Sequence, residues 1–128
     1  MKPNVENLID KTTRISLIIP AFEEADRIAG TLSTINSELR SSSQESGDIE
    51  VIVVDDGSED ATSETARQAG ADIVIRLEEN KGKGAAIRAG VQRANGSVVA
   101  FTDADLAYNP RQVLKLATLV ESGYDTVS

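Results

Sequence analysis

Four short apolar, β-branched runs punctuate the chain: Ile15 to Ile19, Ile49 to Val54, Asp72 to Ile75 and Ser97 to Thr102. Each is bounded by polar or glycine-containing stretches and reads as a buried strand. Between the first two, Ile28, Leu32, Ile35 and Leu39 recur at helical spacing and form one apolar stripe. A second helix has Ser58 or Asp60 as its expected cap and ends at Gly70, where a left-handed residue is needed. A third is rich in small residues (Ala85, Ala86, Ala89, Gly90 and Ala94), which let a helix lie close to a sheet. Asn109 and Pro110 open a last helix with the stripe Val113, Leu114, Leu116, Ala117 and Val120, and Gly123 stops it. Tyr124 to Val127 look like the opening of a fifth strand.

Strands alternating with helices predict an α/β fold built on a parallel sheet. Arg40 to Asp48 is polar and aperiodic, so it reads as a surface connection rather than a domain boundary. The expected organisation is an N-terminal extension over 1–14 and one domain over 15–128.

Composition narrows the chemistry. The 128 residues carry 13 Lys+Arg against 21 Asp+Glu, a net charge of −8 that disfavours nucleic acid and anionic membrane surfaces as partners. There is no Cys and no His, so thiol chemistry, imidazole catalysis and the usual zinc sites are excluded. Runs such as Val51 to Val54 and Val98 to Phe101 fall far short of the roughly 18 apolar residues of a membrane span. Met1 to Asp10 lacks the apolar run of a secretory signal, so the expected location is cytoplasmic.

Polar residues crowd the C-terminal ends of three predicted strands. The first runs into Pro20, Ala21, Phe22, Glu23 and Glu24, the second into Asp55, Asp56, Gly57 and Ser58, the fourth into Asp103, Ala104 and Asp105. In an open parallel sheet, ligands bind beyond those ends, where the strand order reverses; for the order 3-2-1-4 that point lies between strands one and four. Asp103 and Asp105, two residues apart, offer hard oxygen ligands suited to Mg²⁺ or Mn²⁺, with a nucleoside diphosphate completing the shell. Asp55 and Asp56 could accept a ring N–H from uracil or guanine, whereas Gly57 and Ser58 read as turn chemistry. Asn80-Lys-Gly-Lys-Gly84 precedes a helix and offers amides and ammonium groups to an anion, although a glycine-broken surface turn accounts for it equally well. Glu23 and Glu24 suit a helix N-terminus electrostatically, and Pro20 is expected to stop the first strand.

The stretches Ser16-Leu-Ile-Ile-Pro-Ala-Phe-Glu-Glu24, Val53-Val-Asp-Asp-Gly-Ser58, Asn80-Lys-Gly-Lys-Gly84 and Phe101-Thr-Asp-Ala-Asp-Leu106 together resemble the inverting family 2 glycosyltransferases of the GT-A fold. Within them the likeness is to dolichyl- and polyprenyl-phosphate glucose and mannose synthases, and it covers the nucleotide-binding part of that fold. The resemblance implies a Rossmann-like parallel sheet of order 3-2-1-4. It implies a nucleotide pocket formed by Pro20, Ala21, Phe22, Glu24, Val54, Asp55, Asp56, Lys83 and Ala104. It also implies that Asp103 and Asp105 act as catalytic metal ligands for Mg²⁺ or Mn²⁺. The donor would be UDP-glucose or GDP-mannose, the acceptor a polyprenyl or dolichyl phosphate or a sugar, and the place of work the cytoplasmic face of a membrane. Glu23 stands where many members carry Asn, and Ala107 stands where mannose synthases often have Gln, which favours the glucosyl type. A lipid phosphate is already an anion near neutral pH and needs positioning more than a general base.

Other classes share parts of this pattern. A phospho-receiver domain has this length and an acid cluster, but places its adjacent acids after the first strand. A haloacid-dehalogenase-type phosphatase also uses Asp-x-Asp after a buried strand, but not this late in the chain. A non-catalytic nucleotide-binding module would share every binding residue and lack only turnover. An unfinished sheet edge also predicts pairing with a second copy.

Overall fold

The computed structural model describes residues 14–37, 48–102 and 120–121. In chain order these form β1 (Arg14–Ala21), α1 (Ala25–Ile35), β2 (Asp48–Asp55), α2 (Thr62–Gln68), β3 (Ile73–Arg76), α3 (Lys83–Arg93), β4 (Val98–Phe101) and β5 (Val120–Glu121). The sheet order is β3-β2-β1-β4-β5, with β1 to β4 parallel and β5 antiparallel to β4. The expected order of the four parallel strands is therefore the observed one.

Strand side chains alternate between faces, and here both faces are covered. Ile15, Leu17 and Ile19 of β1, with Val51 and Val53 of β2, pack with Ile28, Leu32 and Ile35 of α1 and Ala66 of α2. Ile18, Ile52, Val54 and Val99 pack on the other face with Ala86, Ala89 and Val91 of α3. The result is three layers, α1 and α2 on one side of the sheet and α3 on the other. Small residues bring α3 close: a Cβ on Gly90 would lie 2.7 Å from Ile18 Cγ2.

Several boundaries differ from expectation. Pro20 does not stop β1, which continues through Pro20 and Ala21 in register with Val54 and Asp55. Ile18 turns its carbonyl toward β4, accepting the Thr102 N–H at 3.0 Å. Pro20 faces the same way two residues later, where β4 has ended, so its missing N–H costs no ladder bond. The cap of α2 is Ala61, not Ser58 or Asp60, while Gly70 (φ 99°) ends that helix as expected, with the Ala71 N–H bonded to the Ala66 carbonyl. Gly82 caps α3, so Lys83 and Gly84 belong to the helix rather than preceding it. Val120, read as the end of a helical stripe, pairs instead with Val99 in β5, earlier than the expected fifth strand. Leu39, the 40–47 connection, Asn109 to Ala117 and Tyr124 to Val127 lie outside the described residues.

The N-terminal end of the sheet is closed by a buried carboxylate. Glu50 in β2 accepts the Ser16 hydroxyl at 2.6 Å, the Asn95 N–H at 3.0 Å and the Asn95 side-chain amide at 2.9 Å, with Arg14 Nη2 at 3.7 Å. Ser16 Oγ in turn accepts the Gly96 N–H at 2.8 Å, tying β1 and β2 to the turn before β4. Burial alone would raise the Glu50 pKa. The bonds from Ser16 and Asn95 and the charge of Arg14 outweigh it and hold the carboxyl below the ordinary 4.5.

Two outcomes follow from this packing. Gly30 on α1 has open space around a new Cβ. Gly30→Ala is therefore expected to stabilise the protein by up to about 1 kcal/mol through helix propensity, while Gly90→Ala, forced onto Ile18, destabilises by about 1–2 kcal/mol; urea unfolding of both variants checks the opposite signs. Because the folded pKa of Glu50 is depressed, its contribution is complete above the ordinary value and lost as pH falls through the folded value. Unfolding midpoints measured from neutral to about pH 3 should fall less steeply in Glu50→Gln than in the wild type.

Candidate functional site

At the C-terminal end of β1 and β2 lies an open cleft of about 290 Å³, walled by Pro20, Ala21 and Phe22, by Asp56, and by Asn80, Gly82 and Lys83. Asp55 and Asp56, adjacent at the end of β2, do different work. Asp55 is fully buried and accepts the Ser58 N–H at 2.9 Å and the Ser63 hydroxyl at 2.6 Å, which closes the β2–α2 turn. Asp56 accepts the Lys81 N–H at 2.7 Å and the Gly82 N–H at 2.9 Å through separate oxygens, fastening the start of α3 beside the cleft. Gly57 permits this approach twice over. Its φ is 77°, and a Cβ there would meet the Glu79 carbonyl carbon at 2.5 Å.

The β1–α1 loop is held from outside its own helix. The Glu23 N–H donates to Ser58 Oγ at 2.7 Å, the Glu24 N–H to Thr62 Oγ1 at 2.9 Å and the Ala25 N–H to Asp60 Oδ2 at 3.2 Å. Glu23 Oε2 returns the contact by accepting the Glu59 N–H at 2.6 Å. Glu23 has φ 54°, a left-handed conformation that costs a non-glycine residue of order 1 kcal/mol and is sustained by these bonds. Phe22, next to it, is the large apolar side chain that stays exposed among the described residues, at 45%.

Of the residues singled out from sequence, Pro20, Ala21, Phe22, Asp56 and Lys83 meet at the cleft. Val54 is buried in the core on the α3 face, and Asp55 is enclosed by its turn. Glu24 is the N-cap of α1, its carboxylate 3.8 Å from Arg27. Gly57 and Ser58 serve the turn, as expected. Asp103, Ala104 and Asp105 lie outside the described residues. Among the described residues no group of three or more acids could hold a metal ion. The clasp made by Asp56 and the bonds from Asp60 and Thr62 were not foreseen; the one local signal was an acid-rich turn followed by hydroxyl residues.

The Rossmann-like sheet, with its parallel strands in the order 3-2-1-4, is shared with solved glycosyltransferases of the GT-A fold. The chain is similar to a mannosyltransferase from Pyrobaculum calidifontis solved with GDP-Man and Mn²⁺, at TM-score 0.64 and 28% identity over 76% of this chain and 29% of that one. It is also similar to glucosyl-3-phosphoglycerate synthase from Mycobacterium tuberculosis solved with Mn²⁺, UDP-Glc and phosphoglyceric acid, at TM-score 0.59 and 28% identity over 72% and 33%. The chain belongs to glycosyl transferase family 2, whose model matches residues 16–128. Among its relatives is the undecaprenyl-phosphate 4-deoxy-4-formamido-L-arabinose transferase of Pectobacterium carotovorum, 34% identical over 94% of this chain and 37% of that protein. The Aeromonas hydrophila protein of the same name is 36% identical over 88% and 35%. The chain thus spans about a third of the length of the relatives it matches.

Gly57→Ala meets both a forbidden φ and the 79–80 backbone, and it is expected to cost at least about 2 kcal/mol. Asp56→Asn, whose amide nitrogen cannot accept, leaves one of two loop N–H groups unpaired at about 1–3 kcal/mol. Thermal unfolding reads both, and Asp56→Asn should in addition speed amide exchange at Lys81 or Gly82.

Proposed function

We propose that this chain carries the donor-binding part of an inverting glycosyltransferase that takes a sugar from a nucleoside diphosphate and gives it to a polyprenyl phosphate. The observation that supports this most is the cleft itself: an apolar wall at Pro20 to Phe22 faces Asp56 and the start of α3 at the nucleotide-binding end of the sheet. The family and the ligands named for its structural neighbours, GDP-Man and UDP-Glc, point the same way. The relatives named as undecaprenyl-phosphate sugar transferases make a lipid phosphate the acceptor of choice. In this reading Phe22 and Pro20 wall the base and ribose, Asp56 stands beside the base, and Lys83 adds positive charge near the diphosphate.

Asp103 and Asp105 are assigned as the ligands of Mn²⁺ or Mg²⁺. Their oxygens are hard donors of the right kind, and in sequence they directly follow Thr102, whose N–H donates to the Ile18 carbonyl of β1, the strand that ends in the cleft wall. A bound divalent cation supplies positive charge to the departing diphosphate. The residues of this chain hold and orient the donor so that the anomeric carbon stays open to in-line attack by the acceptor phosphate. No described helix is long and apolar enough to cross a membrane, and in this reading the lipid acceptor brings the chain to a membrane surface.

Calorimetric titration with UDP and GDP, each with and without Mn²⁺, tests the reading. Binding should require Mn²⁺ and weaken by about tenfold or more in Asp103→Asn and Asp105→Asn, since each removes a charged ligand. A folded chain that binds neither nucleotide contradicts it.

A further inference from the structure

The N-terminus of α1 has no side-chain cap of its own. The N–H groups of Glu23, Glu24 and Ala25 are instead taken by Ser58, Thr62 and Asp60, all more than thirty positions away in sequence. The arrangement at Thr62 is directional. Its buried hydroxyl donates to Asp60 Oδ1, so the oxygen presents its lone pairs to the Glu24 N–H. Asp60 also accepts the Thr62 N–H at 3.0 Å through the same Oδ1, while Oδ2 reaches Ala25. One exposed carboxylate therefore orients a buried hydroxyl and fastens the first turn of α1 directly.

We propose that Asp60 and Thr62 are positioning residues for the donor cleft, holding Glu24 and Ala25 next to the left-handed Glu23 so that Phe22 stands at the cleft wall. The assignment rests on the donor-binding reading above. Neither residue lines the cleft; both act through the loop they fix. Phe22 lies between Ala21, at the end of β1, and Glu23, whose left-handed backbone sets the direction of the loop. Releasing Glu24 and Ala25 frees that backbone to relax, and with it the aromatic wall. The Thr62 hydrogen bond, ahead of the opposing effect of desolvation, holds the Asp60 carboxyl below its ordinary value.

The test compares Asp60→Ala, Thr62→Val and Thr62→Ser in the full chain, reading amide hydrogen exchange at Glu24 and Ala25 together with UDP and GDP affinity in Mn²⁺. Glu50→Gln, at the opposite end of the sheet, serves as a control for general loss of stability. Asp60→Ala and Thr62→Val should each speed exchange at these amides and weaken nucleotide binding, both by about tenfold. Thr62→Ser, which keeps the hydroxyl, should restore both, and Glu50→Gln should change neither. Faster exchange with unchanged affinity overturns the proposal by making the contacts merely structural, and unchanged exchange overturns it as well. Wild-type chain that binds neither nucleotide overturns the donor-binding reading, and the assignment falls with it.

Discussion

Two adjacent carboxylates at the end of β2 point to opposite faces of one sheet, and the walls of the cleft depend on that divergence. The two-residue period of a strand sends Asp55 toward the α1 and α2 layer and Asp56 toward α3. Asp55 closes the turn that carries Ser58, and Ser58 reaches across to the β1–α1 loop. Asp56 takes two backbone amides of the segment that starts α3. The three β–α loops described at this end are thus tied to one strand end. A buried carboxylate without such donors would be costly, so the loops and the acids stabilise each other.

This division of labour explains how a rigid sheet can present a shaped ligand site. The core strands are apolar on both faces and leave little freedom, while the loops beyond them are set by hydrogen bonds and by glycines at Gly57 and Gly82 that adopt left-handed backbone. The one non-glycine residue in that conformation among the described residues, Glu23, sits beside the aromatic wall. Strain there is what a binding loop held open by its neighbours would show.

Much of this was legible in the sequence, for reasons that differ by element. The four parallel strands followed from apolar runs separated by helical segments, whereas their order followed from the family resemblance. The close fit of α3 followed from its small residues, with Ala86 and Gly90 now found buried. Boundaries were less readable because they depend on neighbours. Pro20 continues a strand only because β4 stops short beside it, and Val120 joins a strand because β4 offers an edge for it. Glu50 carried a visible signal, an acid inside the run Ile49 to Val54, but its partners Ser16 and Asn95 come from distant segments. The same non-locality hid the Thr62 and Asp60 bonds to the β1–α1 loop. Asp55 and Asp56 look alike in sequence, and only the face each occupies separates a turn acid from a cleft acid.

The central claim is that the space between the end of β1 and the start of α3 receives the nucleoside diphosphate. The most direct measurement is backbone amide shift mapping of the chain titrated with UDP or GDP in Mg²⁺. The account predicts that perturbed amides concentrate at Ala21 to Glu24, Asp56 to Ser58 and Asn80 to Gly84, while those near Glu50 and Asn95 at the opposite end of the sheet stay unmoved. Saturable shifts confined to any other surface, or no shifts at all in the folded protein, would contradict it.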